Sequence, residues 1–578
     1  MKVEIKKIFS ILNHKERKDL IILLFFLFIG AFLEMVGIGI IIPLLSILTG
    51  EEFDFFINSK NFSSFLSSFG VDSLNEILLF FLAILLFFYF LKTLFLSYSI
   101  WFQAKFLSNL YANISNTLFK KYLNQDYLFH VKRNSSKLIQ NIVVDVSNFT
   151  EVYLFAFVSF FAEIFIVLGL SLILIVIEPL GFSIVLILFG SIAGVYLFYT
   201  RKFLKRWGSE RKIKQTSSIQ HIQQGLSAIK DLKVLGLESK FSNYLKKQND
   251  IFADLGKKWT FIKTVPKNIL EFIALAALVA LITVLLGYGR STESVLITVG
   301  VFSAAAFKII PSIHRLVGAF QVMRFSLVSL ETVNKDLKLN SGEHMNQKKN
   351  SNKILLNKNI CVKDLSFIYP GGKKNIFNNL NLTIPANKTI GITGESGSGK
   401  TTFIDLILGV IKPTKGNILA DDIDINLSLR AWQNIIGYIP QSIYLGDDTV
   451  KRNIALGIDD SEISNDKINY ALENSESKSF INSLPNKINE TIGERGERLS
   501  GGQRQRLGIA RALYNNPKIL VMDEATNALD SNTEMEIIKS LNSMRGKKTI
   551  FICAHNKAVL DECDLILSVQ NGKILNTR

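Results

Sequence analysis

The sequence predicts an all-α transmembrane domain of six helices fused to an α/β P-loop domain. Two observations carry this prediction. Hydrophobic residues make up 48% of the 578 residues and crowd residues 1–330, with a mean hydropathy of +0.27 for the whole chain. Residues 394–401 read Gly-Glu-Ser-Gly-Ser-Gly-Lys-Thr, which matches the phosphate-binding pattern G-x-x-x-x-G-K-[ST] at every defined position. We therefore divide the chain into a transmembrane domain (1–330), a polar linker (331–357) and an α/β domain (358–578).

The charge of the chain is typical of a membrane protein rather than a nucleic-acid-binding one. Lys and Arg number 66 and Asp and Glu 49, which gives a net charge of +17. The basic residues lie mostly between apolar segments, where they orient a protein and contact anionic lipid. We expect membrane lipid as a partner and no nucleic acid. The three cysteines, Cys361, Cys553 and Cys563, lack C-x-x-C spacing and indicate a reducing cytosol without a metal cluster.

Six apolar segments are long enough to cross a membrane as helices. They cover residues 20–48, 76–103, 150–177, 180–200, 268–289 and 294–325. The first is too long for a signal-peptide core and has no small-residue cleavage site, so we expect it to be retained. Six spans place both ends of the domain on one side of the membrane.

The charges of the connecting segments predict which side that is. Segment 49–75 is acidic, whereas 104–149 and 201–267 are rich in Lys and Arg and are therefore expected in the cytoplasm, together with both termini. The two basic segments have a helical pattern, so the membrane helices should continue beyond the bilayer. The α/β domain could dock at their turning points, around 124–127 and 217–220.

The outer segment 49–75 carries several phenylalanines among polar residues, at positions 53, 55, 56, 62 and 65. This spacing suits a short helix lying in the membrane interface. It also suits a partly buried loop.

The phosphate-binding motif lies between a strand-like run, 388–392, and a helical pattern that begins at Thr402. Glycines let successive backbone N–H groups surround a polyphosphate, and the start of the helix adds partial positive charge. We expect Lys400 to reach the terminal phosphates and Thr401 to hold Mg²⁺. The predicted nucleotide-binding residues here are Gly394, Glu395, Ser396, Gly397, Ser398, Gly399, Lys400, Thr401 and Thr402.

A second apolar run, Ile519-Leu520-Val521-Met522, ends in Asp523 and Glu524. A buried strand that ends in acids places carboxylates at the edge of a sheet, beside Mg²⁺ and the γ-phosphate. We expect Asp523 in the metal shell and Glu524 to polarise the attacking water.

Between these motifs lies Leu499-Ser500-Gly501-Gly502-Gln503, and with it the sequence resembles the ATP-binding cassette (ABC) transporters. The resemblance implies an ABC ATPase domain over 358–578, with ATP and Mg²⁺ as cofactors. It implies that Tyr369 stacks on adenine, that Gln441 touches Mg²⁺, and that His555 contacts the γ-phosphate in catalysis with Glu524. It also implies that residues 528–530 face a partner cassette and that 491–496 contact the membrane helices.

The signature residues Ser500, Gly501, Gly502 and Gln503 should start a helix and form a second anion site. In the family geometry this site faces the phosphate loop of another chain, so the resemblance implies a head-to-tail homodimer. Two positions depart from the family pattern, Asn527 for a usual serine and Asn556 for a usual arginine. Neither departure removes a catalytic group.

Six spans fused ahead of the ATPase resemble the exporter type of ABC protein. Ionisable residues inside spans are costly and usually have a role or a partner. Here Lys92 lies in the second span, Lys267 at the mouth of the fifth, and Lys308, His314 and Arg315 in the sixth. Their neighbourhoods resemble the bacterial lipid-linked oligosaccharide flippases, although less closely than the ATPase resembles its family.

That second resemblance predicts a cargo. Lys92, Lys267 and Arg315 could bind the pyrophosphate of a polyprenyl-diphosphate glycan, the group that cannot cross hydrocarbon unaided. Alternatively, these cations pair with Glu34, Glu163 or Glu271, or extend to the membrane interface. The resemblance to bacterial flippases implies a bacterial inner (plasma) membrane, and abundant Asn, Lys, Ile and Phe are typical of an A+T-rich bacterial genome.

Two other functions remain open for the sequence. The same machinery could export another lipid, a drug or a peptide, although no peptidase-like segment precedes the first span. An ATP-gated channel or a signalling protein is a further alternative, but such a protein would more often lose Glu524 or its signature motif.

Overall fold

The structure is a computed structural model that describes residues 2–40, 74–177, 179–289, 292–340, 354–372, 374–524, 537, 543–554, 556–570 and 572–577. The chain divides into two compact units. The first comprises Met1–Leu123 and Lys132–Asn340, and the second Asn124–Val131 and Ser341–Arg578.

The first unit is built from helices. They are α1 (Lys2–Ile11), α2 (His14–Gly39), α3 (Leu74–Leu123), then α5 (Ser135–Gln140), α6 (Phe155–Ile177), α7 (Pro179–Ser227), α8 (Ile229–Leu235), α9 (Glu238–Gly287) and α10 (Thr292–Leu337); α4 (Tyr127–Lys132) falls mainly in the second unit. The helices α3 and α9 have 50 residues each. At a rise of 1.5 Å per residue, such a helix is about 75 Å long, more than twice the thickness of a hydrocarbon core. The prediction that the basic segments continue the membrane helices agrees with these lengths.

Within the described residues, five helical stretches are long and apolar enough to cross a membrane. They are His14–Gly37, Leu78–Leu123, Ser135–Leu172, Glu238–Gly287 and Ile309–Leu337. Each overlaps one predicted span, and the remaining prediction, 180–200, lies within α7. The end of the first predicted span and the outer segment up to residue 73 lie outside the described residues.

Two π-helical segments connect α5 to α6, namely Asn141–Asp145 and Asn148–Leu154. A buried polar network surrounds the first. Asp145 forms a 2.8 Å ion pair with Lys212 and accepts a 3.0 Å hydrogen bond from Ser329. Asp336 accepts hydrogen bonds from Tyr122 at 2.5 Å and from Asn141 at 2.7 Å. Long π-helical stretches are rare and are often found at functional sites.

The predicted linker begins too early. Helix α10 continues to Leu337, so residues 331–337 are helical. Leu330 and Val333 are buried in the core of the first unit, three residues apart on one face. The linker was predicted to start at residue 331 because polar residues surround these buried apolar positions. At the other end, Ile354 and Leu356 already belong to the core of the second unit.

The second unit contains two sheets. The strands are β1 (Asn359–Phe367), β2 (Phe377–Pro385), β3 (Thr389–Thr393), β4 (Lys415–Ala420), β5 (Ile423–Asp424), β6 (Ile436–Ile439), β7 (Ile519–Asp523), β8 (Thr549–Cys553), β9 (Leu565–Gln570) and β10 (Lys573–Asn576). One sheet has the order β10-β9-β3-β8-β7-β6 and is parallel except for β10. A mainly parallel sheet of this kind is typical of the α/β domain that the sequence predicts. The other sheet, β2-β1-β4-β5, is antiparallel and was not predicted.

Seven further α-helices lie in the described part of this unit. They are α11 (Lys400–Ile407), α12 (Leu429–Asn434), α13 (Val450–Ile454), α14 (Asn465–Asn474), α15 (Lys478–Ser483), α16 (Gly501–Leu513) and α17 (Lys557–Asp561).

The six-stranded sheet separates two hydrophobic cores. Side chains alternate along β7, so that Ile519 and Val521 join one core while Leu520 and Met522 join the other. Helix α11 packs in the first core through residues such as Phe403 and Ile404. Helix α16 packs in the second through Leu507, Ile509 and Leu513, which lie on the opposite face of the sheet.

Candidate functional site

The phosphate-binding motif forms a loop between buried strand β3 and helix α11. Gly394, Gly397 and Gly399 have φ values of 152°, 79° and 110°, a region that favours glycine. At Gly394 a side chain is also excluded sterically, because its Cβ would lie 2.5 Å from the carbonyl oxygen of Val569. The strand–loop–helix context that the motif requires is present.

Polar groups in this loop fit a phosphate. Lys400 is buried, and its ammonium donates to the carbonyls of Gly394 at 2.7 Å and Glu395 at 3.3 Å. The hydroxyl of Ser398 is buried without a hydrogen-bond partner among the described residues. A buried unsatisfied hydroxyl is costly, and a phosphate oxygen would satisfy it. Thr401, at the start of α11, is exposed and can present its hydroxyl to a metal ion.

The aromatic residue predicted to stack on adenine lies beside this loop. Tyr369 follows β1, is 36% exposed, and its hydroxyl lies 3.1 Å from that of Thr402. Its ring packs edge-on against Phe367, with centroids 4.9 Å apart. Contacts thus hold both the ring and the hydroxyl of Tyr369, while part of its surface stays accessible.

The acids after β7 lie next to the predicted glutamine. Asp523 ends the strand and is buried, whereas Glu524 adopts a left-handed backbone with φ of 50°. The side-chain amide of Gln441, which follows β6, donates to the carboxylate of Glu524 at 2.8 Å. The structure therefore brings together Gln441 and Glu524, two of the residues predicted for the nucleotide site.

One further acid lies at this edge of the sheet, and sequence reasoning assigned it no role. Burial and the charge of Asp523 raise the pKa of Asp405, in helix α11, to about 6. Burial, helped by Glu524, also raises the pKa of Asp523, while Lys400 opposes the shift. Among the described residues, no three acidic, histidine or cysteine side chains form a metal site by themselves, so a Mg²⁺ ion held here would also need oxygens from the nucleotide. No local sequence pattern marks Asp405, because its altered pKa depends on burial and on the neighbouring Asp523.

The signature residues start helix α16 as predicted. Ser500 is its N-cap, and its hydroxyl accepts from the backbone N–H of Gln503 at 3.2 Å. The side chain of Gln503 in turn accepts from the backbone N–H of Ser500 at 2.9 Å, which completes a capping box. Because the hydroxyl only accepts here, its proton remains available to a phosphate, beside the N–H groups of Gly501 and Gly502.

Some predicted site residues cannot be placed. His555, Asn527 and residues 528–530 lie outside the described residues. Asn556 is described and caps helix α17, accepting from the backbone N–H of Ala558 at 3.1 Å. This departure from the family pattern thus has a structural role.

The three predicted substrate cations each face a carboxylate. Lys92 is 5% exposed and forms a 2.8 Å ion pair with Glu34. Arg315 is bound to Glu163 and donates to Ser312 at 3.1 Å. Lys267 lies 3.8 Å from Glu271, and both side chains are 59% exposed. These are the pairs anticipated by the alternative interpretation; the side chain of Lys308 lies outside the described residues.

Two family models match the chain. The ABC transporter transmembrane region matches residues 20–309, and ABC transporter matches residues 377–527. Among solved structures, a bacterial Atm1-family ABC exporter with ATP bound shares the fold, with a TM-score of 0.74 and 94% of each chain covered at 20% identity.

Curated relatives match shorter stretches. The ATP-dependent lipid A-core flippase of Francisella novicida is 28% identical over 396 residues, which is 67% of this chain and 65% of the relative's length. The match therefore spans just under two thirds of that protein. ABC transporter B family member 13 of Arabidopsis thaliana is 39% identical over 214 residues, 37% of this chain and 17% of that protein.

Proposed function

This chain belongs to the ABC transporter family, and we propose from that premise that it is an ATP-driven exporter that moves a lipid across a bacterial inner membrane. It works as a homodimer with both termini in the cytosol. Its cargo is proposed more narrowly as a polyprenyl-diphosphate glycan.

The observation that carries the proposal is the arrangement of the two anion sites in one chain. Helix α11, which follows the phosphate loop, and helix α16, which follows the signature serine, pack on opposite faces of the same sheet. A nucleotide held by Lys400 therefore cannot easily reach Ser500 of its own chain. Two chains arranged head to tail would complete two nucleotide sites, and nucleotide binding would then pull the chains together.

The contact between Gln441 and Glu524 supports hydrolysis as well as binding. A carboxylate at this edge of the sheet can orient water for in-line attack on the γ-phosphate. Gln441 holds that carboxylate at 2.8 Å. Mg²⁺, held by Thr401, Gln441 and Asp523, would neutralise phosphate charge when bound.

The cargo proposal rests on the polar residues of α9 and α10. Lys267 and Arg315 are 59% and 53% exposed, so an anionic head group could compete with their carboxylate partners. His314, whose Nδ1 is buried without a hydrogen-bond partner in the described residues, directly precedes Arg315. Lys92 differs, because it is enclosed by Glu34 and the ring of Tyr89, 4.6 Å away. We therefore assign the anion-binding role to Lys267 and Arg315 rather than to Lys92.

A second candidate cargo is another lipid, and two observations favour it. The ion pairs neutralise the three cations, and the Francisella relative is named as a lipid A-core flippase. Reconstituted protein decides between the two. Fluorescent polyprenyl-diphosphate glycan and lipid A are offered separately, and the ATP-dependent loss of quenchable fluorescence from one leaflet is followed.

Two double variants are compared. The first pair of substitutions, Lys267→Gln and Arg315→Gln, tests the cargo site, and the second pair, Lys257→Gln and Lys258→Gln, is the control. The second pair removes equal charge at exposed positions of α9 that are paired with Asp254. We expect the first pair to abolish glycan flipping and glycan-stimulated ATPase while basal ATPase persists, and the second pair to change neither. Glycan flipping that survives in the first variant contradicts the proposed cargo site, and transport of lipid A alone favours the second candidate.

A further inference from the structure

Helix α7 carries four cations immediately after an apolar stretch. Residues 179–200 contain no Asp, Glu, Lys or Arg, and the next six residues include Arg201, Lys202, Lys205 and Arg206. We call these four residues the α7 basic face. At 1.5 Å per residue the uncharged stretch measures about 33 Å, which matches a hydrocarbon core. The α7 basic face therefore lies at the depth of lipid head groups.

The geometry of the helix turns this face away from the rest of the unit. Leu204 is fully buried, and the Cβ of any side chain at Gly208 would lie 1.9 Å from the carbonyl oxygen of Phe325 in α10. That side of α7 therefore packs closely against its neighbour. All four cations of the α7 basic face are exposed.

These cations have no counter-ion within the described residues. No carboxylate of the described chain lies within 4.0 Å of any of the four. The cations nearer the membrane centre behave differently, since Lys92 and Arg315 each contact a glutamate. Four adjacent positive charges repel one another, so an external anion would stabilise them.

The surroundings are those of a head-group site. The four cations line an open cavity of about 600 Å³, which Ser209, Glu210 and Ile213 complete. On the membrane side, Phe198 and Tyr199 are 61% and 68% exposed, and Phe203, between the cations, is 52% exposed. The guanidinium of Arg201 lies 4.6 Å from the ring centre of Phe198. Exposed aromatic rings beside cations are typical of the boundary between hydrocarbon and head groups.

We propose that the α7 basic face binds the phosphate head groups of anionic phospholipids in the cytoplasmic leaflet. Each Lys or Arg near a membrane surface increases the affinity of a protein for anionic lipid about fivefold. None of the four cations belongs to the proposed cargo site, which is formed by Lys267 and Arg315. It predicts that anionic lipid associates with the transporter whether or not cargo is present.

The test compares the full chain in nanodiscs that contain phosphatidylcholine and phosphatidylglycerol. Bound lipid is measured by native mass spectrometry and by spin-labelled lipids of both kinds. The variant replaces all four cations, R201Q, K202Q, K205Q and R206Q. The control, K230Q, K240Q, K246Q and K247Q, removes the same charge at exposed lysines of the same cytoplasmic segment, more than about 30 Å along the helices from the membrane boundary.

We expect the quadruple variant to lose at least about tenfold of its preference for phosphatidylglycerol while its basal ATPase is unchanged, and we expect the control to keep the preference. If the quadruple variant does not fold, the K202Q, K205Q variant should lose part of the preference and the R201K, R206K variant should lose none of it. An unchanged preference in the neutralised variants, or an equal loss in the control, overturns the proposal.

Two further arms separate the other possible occupants. Inorganic phosphate is added at the concentration of the lipid phosphate, and displacement of phosphatidylglycerol would identify a soluble-anion site and overturn the lipid assignment. In a K202C variant, a water-soluble maleimide should react faster in phosphatidylcholine alone than with phosphatidylglycerol present. No reaction in either lipid would show that a second copy of the chain covers the face, which also overturns the proposal.

Discussion

Asp564 shows how a single carboxylate ties two parts of the ATPase unit together. It accepts hydrogen bonds from Arg545 at 2.7 Å and from the backbone N–H of Thr389, at the start of β3, at 2.8 Å. Burial alone would raise the pKa of Asp564, but these two donors hold it below its ordinary value of 3.8. The ionised form is therefore the one that stabilises the fold.

The lowered pKa of Asp564 determines how the stability of the protein should change with pH. A group with a depressed folded pKa stabilises the protein above its unfolded pKa, and that stabilisation is lost as pH falls through the folded value. We expect Asp564→Asn to cost about 1 kcal/mol at pH 6–8, because Arg545 is partly exposed and solvent screens the pair. In thermal unfolding of the full chain, the difference in stability between the variant and the parent should become smaller below pH 3.8. A loss of stability of the same size at every pH would show that packing rather than charge is responsible.

Tyr369 allows the stacking role to be separated from the hydroxyl contact with Thr402. Tyr369→Phe keeps the ring and removes only the 3.1 Å contact, so the KM for ATP should change by no more than about twofold. Tyr369→Ala removes the ring, and loss of stacking on a base should raise KM about tenfold. The measurement is steady-state ATPase over a range of ATP concentrations. If the two variants are equally impaired, the hydroxyl matters and the stacking role is wrong.

Short motifs led the sequence analysis to propose Lys400, Ser500, Gln441 and Glu524 as nucleotide-site residues, and these roles stay predictions. The structure places Gln441 against Glu524. Asp405 was missed because its importance depends on burial and on the neighbouring Asp523, neither of which a local pattern shows.

At the scale of helices, the π-helical segments and their buried polar network mark a specialised region of the membrane unit. Asp145 is 1% exposed and is paired with Lys212 of α7 and hydrogen-bonded to Ser329 of α10. Three helical segments therefore meet at one carboxylate. Breaking a buried ion pair by removing one partner is far more costly than removing both, because a lone buried charge remains.

Lys212→Met should therefore destabilise the chain by about 3 kcal/mol or more, and Lys212→Met combined with Asp145→Asn should recover much of that loss. The exposed pair Lys258 and Asp254 on α9 provides the control, since Lys258→Met should cost less than about 1 kcal/mol. Melting temperatures of these variants and the parent in the same detergent give the comparison. Additive losses from Asp145 and Lys212 would contradict a coupled pair.

Neither the π-helical segments nor the end of α10 could be predicted from the sequence. A π-helix differs from an α-helix by one residue in its hydrogen-bonding register, which composition and hydrophobic periodicity do not resolve. The extension of α10 to Leu337 depends on tertiary packing of Leu330 and Val333, and the polar residues between them concealed it. The apolar spans were predictable because length and hydropathy alone determine them.

At the scale of the whole molecule, the family and the exporter fold agree with the sequence prediction, whereas the cargo does not follow from either. Motifs and apolar spans are properties of the sequence itself, but recognition of a lipid depends on which cations remain available after folding. The structure pairs Lys92, Lys267 and Arg315 with carboxylates, and only exposure distinguishes Lys267 and Arg315 from Lys92. Cargo specificity is therefore a three-dimensional property of this chain.

The helices that follow the phosphate loop and the signature serine pack on opposite faces of one sheet, and this makes a prediction about two chains that no single-chain experiment can test. Lys400→Ala should inactivate the phosphate loop and Ser500→Arg the signature, so each homodimer should be inactive at both sites. When the two variants are co-assembled, half of the dimers should be mixed, and each mixed dimer should contain one intact site, formed by Lys400 of one chain and Ser500 of the other. About a quarter of the parent ATPase rate should therefore return if the sites act independently. Co-assembly of Lys400→Ala with a chain carrying both substitutions leaves no intact site and should stay inactive. If the first mixture also stays inactive although mixed dimers are detected, either Lys400 and Ser500 of the same chain form each site, or both sites of a dimer must be intact for ATP hydrolysis.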